Sequence, residues 1–238
     1  MPNGMSDIDR RPMYLQVAER IIDHIKDERM APGAEIPSEA ELCEMAGVSR
    51  PVIRSALGYL AGGGIIKISN GRRARVGELD PDFLASSFSY GLATEQITIP
   101  KILEVRQDIE LSAARLAAER RTDEQAARLE ELCEEMEQSI CDVDRFVELD
   151  FAFHLTIAEA TDNSLYDYVI RPMRQTIIES ISEGRLSQSA GDDLLRIQDC
   201  HRAIAQAIRE KDPDAAMAAM TRHFKTALAA MGHAAQAD

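Results

Sequence analysis

The chain has 238 residues, 45% hydrophobic and 29% charged, with a formal net charge of -14. That balance excludes a disordered polypeptide and allows one large domain or two modest ones. No apolar run is long enough for a bilayer and the start, MPNGMSDIDRRPMY, has no apolar export segment, so a cytoplasmic protein without membrane association is expected. Cys43, Cys133, Cys141 and Cys200 form no CxxC pair or zinc-finger spacing and read as free thiols of a reducing compartment.

The charge is unevenly spread. The first 78 residues carry 11 bases and 11 acids, so the remaining 160 hold all of the excess, with 16 bases against 30 acids. Two domains with different partners are expected. After an N-terminal tail over 1–12, the segment MYLQVAERIIDHIKDERM places Leu15, Ala18, Ile21, Ile22 and Ile25 at helical spacing. APGAEIP ends that helix. Ser38, with Glu41 three residues on, has the signature of a capping box opening a second helix. Gly47 stops the second helix, and Ser49 is placed to cap a third running to about Ala61. IIKIS and RRARV then flank Asn70-Gly71, a dipeptide suited to a tight turn between antiparallel strands. This order defines a winged helix-turn-helix over 13–77, followed by a linker over 78–81.

From residue 82 to about 231 the pattern is helical throughout. Candidate helices cover 82–93, 98–120, 122–140, 143–161, 164–184, 189–211 and 213–231, before a flexible tail over 232–238. The fold class is therefore mainly α: a winged helix-turn-helix with a small β-hairpin wing, then an all-α bundle.

Between Gly47 and Gly77 stand six cations (Arg50, Arg54, Lys67, Arg72, Arg73, Arg75) and no acid. DNA affinity comes largely from cations meeting phosphates, and sequence is read by side chains entering the major groove. Arg50 and Arg54 lie one turn apart where a recognition helix would enter that groove, while Arg72, Arg73 and Arg75 crowd the second wing strand. The strip reads as a DNA-binding surface.

Residues 13–77 also resemble the amino-terminal domain of the GntR family of bacterial transcription regulators, through PG-x-x-[IL]-PSE-x-EL, GVSR-x-x-x-R-x-AL and the glycine-tipped wing. The resemblance implies operator contacts by Ser49, Arg50, Arg54 and Gly71. Ser38, Asn70, Arg72, Arg73 and Arg75 complete the expected DNA-binding set. Ala40 stands where family members usually carry an arginine after PSE, and the wing is more cationic than usual. Part of the DNA contact is therefore expected to have moved to the wing.

In the helical half, polar residues inside apolar stripes are informative, because burying them unpaired is costly. Asp150 and His154 interrupt the stripe Val143, Val147, Ile157 and lie one turn apart. His201 falls in line with Ile204, Ala205 and Ile208, and His223 lies near Met220, Phe224 and Ala227. Three imidazoles with one carboxylate suit a divalent transition metal, although each alone is compatible with an ordinary core pair. Arg106 interrupts Ile102, Ile109, Ala113 and is placed either for a salt bridge with Glu110 or to grip a carboxylate.

The segments ILEVRQDIELSAARLAAER, FVELDFAFHLTIAEATDNSLY and HRAIAQAIREKDPDAAMAAMTRHF are similar to the FCD effector domain of the FadR subfamily of GntR regulators. The resemblance implies a metal held by Asp150, His154, His201 and His223, with zinc first in line and nickel, manganese or iron as alternatives. It also implies an effector cavity faced by Arg106; Asn163 is a weaker candidate, suited equally to a turn. The expected protein is a homodimeric regulator, a repressor in most relatives, that binds a double-stranded operator and a small organic acid or sugar acid. It is not expected to be an enzyme. Rival readings are a sensor of the metal itself, a purely structural metal and a metal-dependent hydrolase, the last lacking a general base beside the metal set.

Overall fold

The computed structural model describes residues 11–69, 72–182 and 191–234, and the chain divides into two compact units, one through Phe83 and one from Leu84. In the first, α1 (Met13–Asp27) buries Val17, Ala18 and Ile21. These meet Ile36, Leu42 of α2 (Glu39–Ala46), Ile53, Ala56, Leu57 and Leu60 of α3 (Arg50–Gly62), and Ile66 in one core. The capping box forms at α2: Glu41 N–H donates to Ser38 Oγ at 3.3 Å, and Ser38 N–H to Glu41 Oε2 at 2.7 Å. Gly47 ends α2 in the left-handed conformation (φ 67°), where a Cβ would be strained. Ser49 stands before α3, but its side chain makes no capping bond; Pro51 in the first turn presets the helix instead.

The wing is shorter than its sequence signal. Strands β1 (Ile66–Lys67) and β2 (Arg75–Val76) pair antiparallel, with Ile66 opposite Val76 and Lys67 opposite Arg75. Asn70 and Gly71, the expected turn, lie outside the described residues. The free edge of β2 meets the α1–α2 connection: Ile36 N–H donates to Ala74 O, and Val76 N–H to Ala34 O, both at 2.9 Å. This pairing brings Glu35 opposite Arg75.

The second unit is built from α4 (Pro81–Ala93), α5 (Ile99–Arg120), α6 (Asp123–Gln138), α7 (Val143–Ala160), α8 (Ser164–Ser182), α9 (Gly191–Arg209) and α10 (Pro213–Ala234). Thr122 closes a second capping box at α6. The core runs through Ala113 and Ala117 of α5, Leu129 and Leu132 of α6, Phe153 and Ile157 of α7, Ile204 and Ile208 of α9, and Phe224 of α10. Alanines on α5 let neighbouring helices approach closely. On α7 the buried face is Phe146, Leu149, Phe153, Ile157 and Ala160, rotated from the expected Val143–Val147 stripe, whose two valines are only partly buried. The larger aromatic and leucine side chains decide which face turns inward. No described helix is long and apolar enough to cross a membrane.

Candidate metal centre and nucleic-acid interface

In the first unit, α3 presents Arg50 and Arg54 on its exposed surface, and Lys67 and Arg72 are exposed on the wing. Among the described residues these four cations have no carboxylate partner. Arg73 and Arg75 differ from the expectation of free phosphate-binding groups. Arg73 lies 3.3 Å from Glu41, while Arg75 lies 2.6 Å from Glu35 and also donates to Gly33 O at 3.2 Å. The sequence reading found no acid within the strip, but the pairing of β2 with the α1–α2 connection brings two acids from outside it. Glu41 is held below the ordinary carboxylate range, first by its hydrogen bonds from Ser38 and then by Arg73. Ser38 is half-buried with its Oγ engaged at the start of α2.

In the second unit, α7, α9 and α10 bring Asp150, His154, His201 and His223 together, with one ligand-capable atom from each lying within 4.8 Å of the others. Ring centroids are 5.7 Å apart for His154–His201, 4.9 Å for His154–His223 and 4.7 Å for His201–His223. The three imidazoles are buried, and the Asp150 side chain keeps 23% of its surface exposed. Asp150 Oδ1 lies 3.1 Å from His201 Nε2 and 3.7 Å from His154 Nε2.

The outer nitrogens determine how these rings are protonated. Gln198 Nε2 donates to the Cys133 carbonyl at 2.6 Å, which only an amide nitrogen can do, so its Oε1 faces His201 Nδ1 at 3.3 Å. His201 Nδ1 must then carry the hydrogen, and in the neutral ring Nε2 turns a lone pair toward Asp150. A Glu110 carboxylate oxygen lies against His154 Nδ1, with the same consequence for that ring. With the His201 ring neutral, lone pair faces lone pair at 3.1 Å, and His154 Nε2, His201 Nε2 and His223 Nδ1 are buried without a hydrogen-bond partner. Such an arrangement is relieved by a positive charge among the acceptors, either a proton on His201 Nε2 or a metal ion. Three imidazole nitrogens and one carboxylate oxygen, with His154 oriented from behind by Glu110 and His201 by Gln198, fit a divalent transition metal.

Electrostatics agree. Burial pushes the His154 pKa down to about 4, with Arg174 acting in the same direction and Glu110 opposing. Burial and the neighbouring His201 and His154 hold His223 well below its ordinary value. For Glu110, burial acts upward but is outweighed by Arg106, His154 and Arg174, and for Asp150 by Arg174 and the imidazoles; both carboxyls sit well below their usual range. The site thus holds two carboxylates, with His154 and His223 kept neutral as metal ligation requires.

Arg106 forms the salt bridge that its spacing to Glu110 allowed. Its Nε donates to Glu110 Oε1 at 2.8 Å, and its guanidinium carbon stands 5.5 Å from the centre of the Phe224 ring, so it is a buried ion-pair member in the wall of the site. Asn163 is exposed and its Oδ1 accepts from Leu165 N–H at the start of α8. It serves the turn and is not among the buried residues of the cluster. The sequence reading missed three residues: Arg174, which contacts Asp150; Gln198; and Glu110 as a partner of His154. Arg174 stands among Ile170, Met173 and Ile177 on α8, so the same search for a polar residue in an apolar stripe could have found it.

A unit with an exposed basic helix and a wing, joined to a helical unit with an inward-facing ligand cluster, defines a two-domain DNA-binding regulator. Residues 13–76 match the model of bacterial regulatory proteins of the gntR family, and residues 101–226 match that of the FCD domain. The chain is 31% identical over 230 residues to the HTH-type transcriptional repressor NanR of Cronobacter sakazakii, covering 95% of this chain and 88% of that one. Identity to NanR of Klebsiella aerogenes is 32% over 221 residues, covering 91% and 84%. Among solved structures, a GntR protein of Streptococcus agalactiae superposes with TM-score 0.69 at 29% identity, covering 90% of this chain and 98% of that one. E. coli McbR/YncC, at TM-score 0.50 and 19% identity over 96% and 100%, shares the fold. The chain belongs to the GntR family of transcription regulators, in the FadR subfamily that carries an FCD domain; these are regulators, not enzymes.

Proposed function

We propose that the protein is a cytoplasmic, homodimeric repressor whose operator affinity is set by a small carboxylate or sugar acid bound beside a divalent cation in the helical unit. Asp150, His154, His201 and His223 would hold the cation, zinc by preference or nickel, manganese or iron. A cation bound there offers a Lewis-acidic position to a carboxylate oxygen. The observation that carries this reading is the Asp150–His201 apposition, a carboxylate oxygen 3.1 Å from a buried ring nitrogen, with the outer atoms of both side chains already engaged. Glu110 and Gln198 orient the imidazoles, and Arg106 fixes Glu110. Relatives named as repressors support the direction of control.

At the other end, Arg50 and Arg54 of α3 would enter the major groove, with Ser49 beside them and Asn70, Gly71 and Arg72 of the wing following the backbone. Two copies would read a pseudo-palindromic site. An acid that prefers one relative arrangement of the DNA-binding units shifts operator affinity by that preference and no more.

The test is a thermal-shift screen of the full chain against small organic and sugar acids, with zinc present and with zinc chelated, followed by operator titration with any acid found. An acid that stabilises only the zinc-loaded protein and releases it from the operator supports the proposal. Operator affinity that follows zinc alone, with no acid having an effect, would replace it by a metal-sensing function.

A further inference from the structure

Arg174 is only 5% exposed, yet it is incompletely satisfied. Its Nη2 contacts Asp150 Oδ2 and donates to the Asp150 carbonyl at 3.2 Å. Its Nη1 lies 3.6 Å from Glu110 Oε2, beyond hydrogen-bond reach, and Nη1 and Nε are both buried without an acceptor. An unmatched donor on a buried charge is costly, and native structures keep few of them. Arg106 is in the opposite situation, with its Nε committed to Glu110 and its plane over Phe224.

The charges point the same way. Arg106 and Arg174 balance Glu110 and Asp150. A dication with neutral imidazoles would add two positive charges with no protein group left to offset them. Charge buried without compensation is strongly disfavoured, so the loaded site requires an anion.

We propose that Arg174 is the residue that takes the effector's carboxylate, using the N–H groups it does not spend on Asp150. The ligand class is a small organic acid with a carboxylate and an adjacent oxygen donor (hydroxyl, keto or second carboxylate), one end ligating the cation and the other meeting Arg174. This rests on the metal-dependent acid reading above and refines it: the anion-gripping arginine is Arg174 on α8, while Arg106 holds the wall. Because the acid and the cation share Asp150 and Arg174 as neighbours, each strengthens the other's binding by the same factor.

The experiment measures zinc affinity of the full-length apo protein by calorimetry at buffered free zinc, alone and with a fixed excess of lactate, malonate or gluconate. In the wild type at least one acid should tighten zinc about tenfold, a typical coupling between linked sites. Arg174→Lys keeps the charge without the planar fork, and Arg174→Met removes both. Whatever the zinc affinity of each variant alone, the factor by which acid tightens it should be reduced in the first and abolished in the second. Should Arg174→Met fail to fold, Arg174→Lys carries the test. An undiminished tightening in both variants would overturn the proposal. So would weakened zinc binding with the tightening factor intact, which would make Arg174 a positioning residue for Asp150. Wild-type protein that binds zinc but responds to no acid would defeat the effector reading itself, and His223→Ala, which should lose zinc whatever Arg174 does, reports on the metal set separately.

Discussion

The backbone of Gly77 runs against that of Gly64 so closely that a Cβ on Gly77 would overlap the Gly64 carbonyl oxygen and lie 3.1 Å from the carbonyl of Ile65. Gly77 N–H donates to Ile65 O at 2.8 Å, so this contact fastens the end of the second wing strand to the residue just before the first. The constraint is one of space. Gly64 is the one in the left-handed region, at φ 70°.

Gly77→Ala should therefore destabilise the DNA-binding unit by about 1–3 kcal/mol, the usual cost of overpacking against backbone. Thermal denaturation followed by circular dichroism should show an earlier transition. A melting curve identical to wild type would show that the wing root relaxes freely.

The ion pairs of the wing predict an inequality among arginines that look alike. Arg54→Ala should weaken operator binding by about 1–3 kcal/mol and lower the salt slope by about one phosphate contact. Arg73→Ala should change the slope less, because Glu41 already neutralises that charge. Glu41→Gln is the informative reverse: glutamine still completes the capping box, and the released Arg73 should raise both affinity and salt slope. Fluorescence anisotropy over a potassium chloride series measures all three, and equal slopes for Arg54→Ala and Arg73→Ala would contradict the pairing.

The buried imidazoles give the helical unit a pH dependence of definite sign. His154 titrates near 6.5 when unfolded and at about 4 when folded, so across that window the unfolded chain binds more protons. Stability of the metal-free protein is complete above pH 6.5 and should fall as pH drops toward 4, by about 3 kcal/mol for this residue alone. Zinc binding should weaken over the same range, since protons compete for the same nitrogens. Melting temperatures in chelator from pH 7.5 to 5 test it; a flat profile would show that His154 is not buried as a neutral ring.

Gln198→Leu removes the acceptor that orients His201 without touching a ligand atom. Zinc affinity should fall about 10–100-fold, as when other outer partners of metal-bound histidines are lost. Unchanged affinity would mean that packing alone sets the ring.

Much of the architecture was legible from local signals. The Ser38–Glu41 capping box, the stop at Gly47 and the spacing of Asp150 to His154 act within one or two helical turns, so neighbours in sequence are neighbours in space. The inward set of His154, His201 and His223 was visible because an imidazole among aliphatic residues has few places to go. Face selection on α7 was less legible, because competition between Phe146, Leu149 and the valines is settled by what packs against them.

What the sequence by itself determined is the list of parts: a basic strip, a capped helix-turn-helix, and four ligand-type residues on three later helices. Only the tertiary structure decided which charges remain available. Glu41 and Glu35 reach Arg73 and Arg75 because β2 pairs with a connection some forty residues earlier in the chain. Gln198 and Glu110 set the tautomers of His201 and His154, and Arg174 joins Asp150 across 24 positions of sequence. Charge and hydrogen bonding act through space over a few ångströms, and separation along the chain does not report that distance.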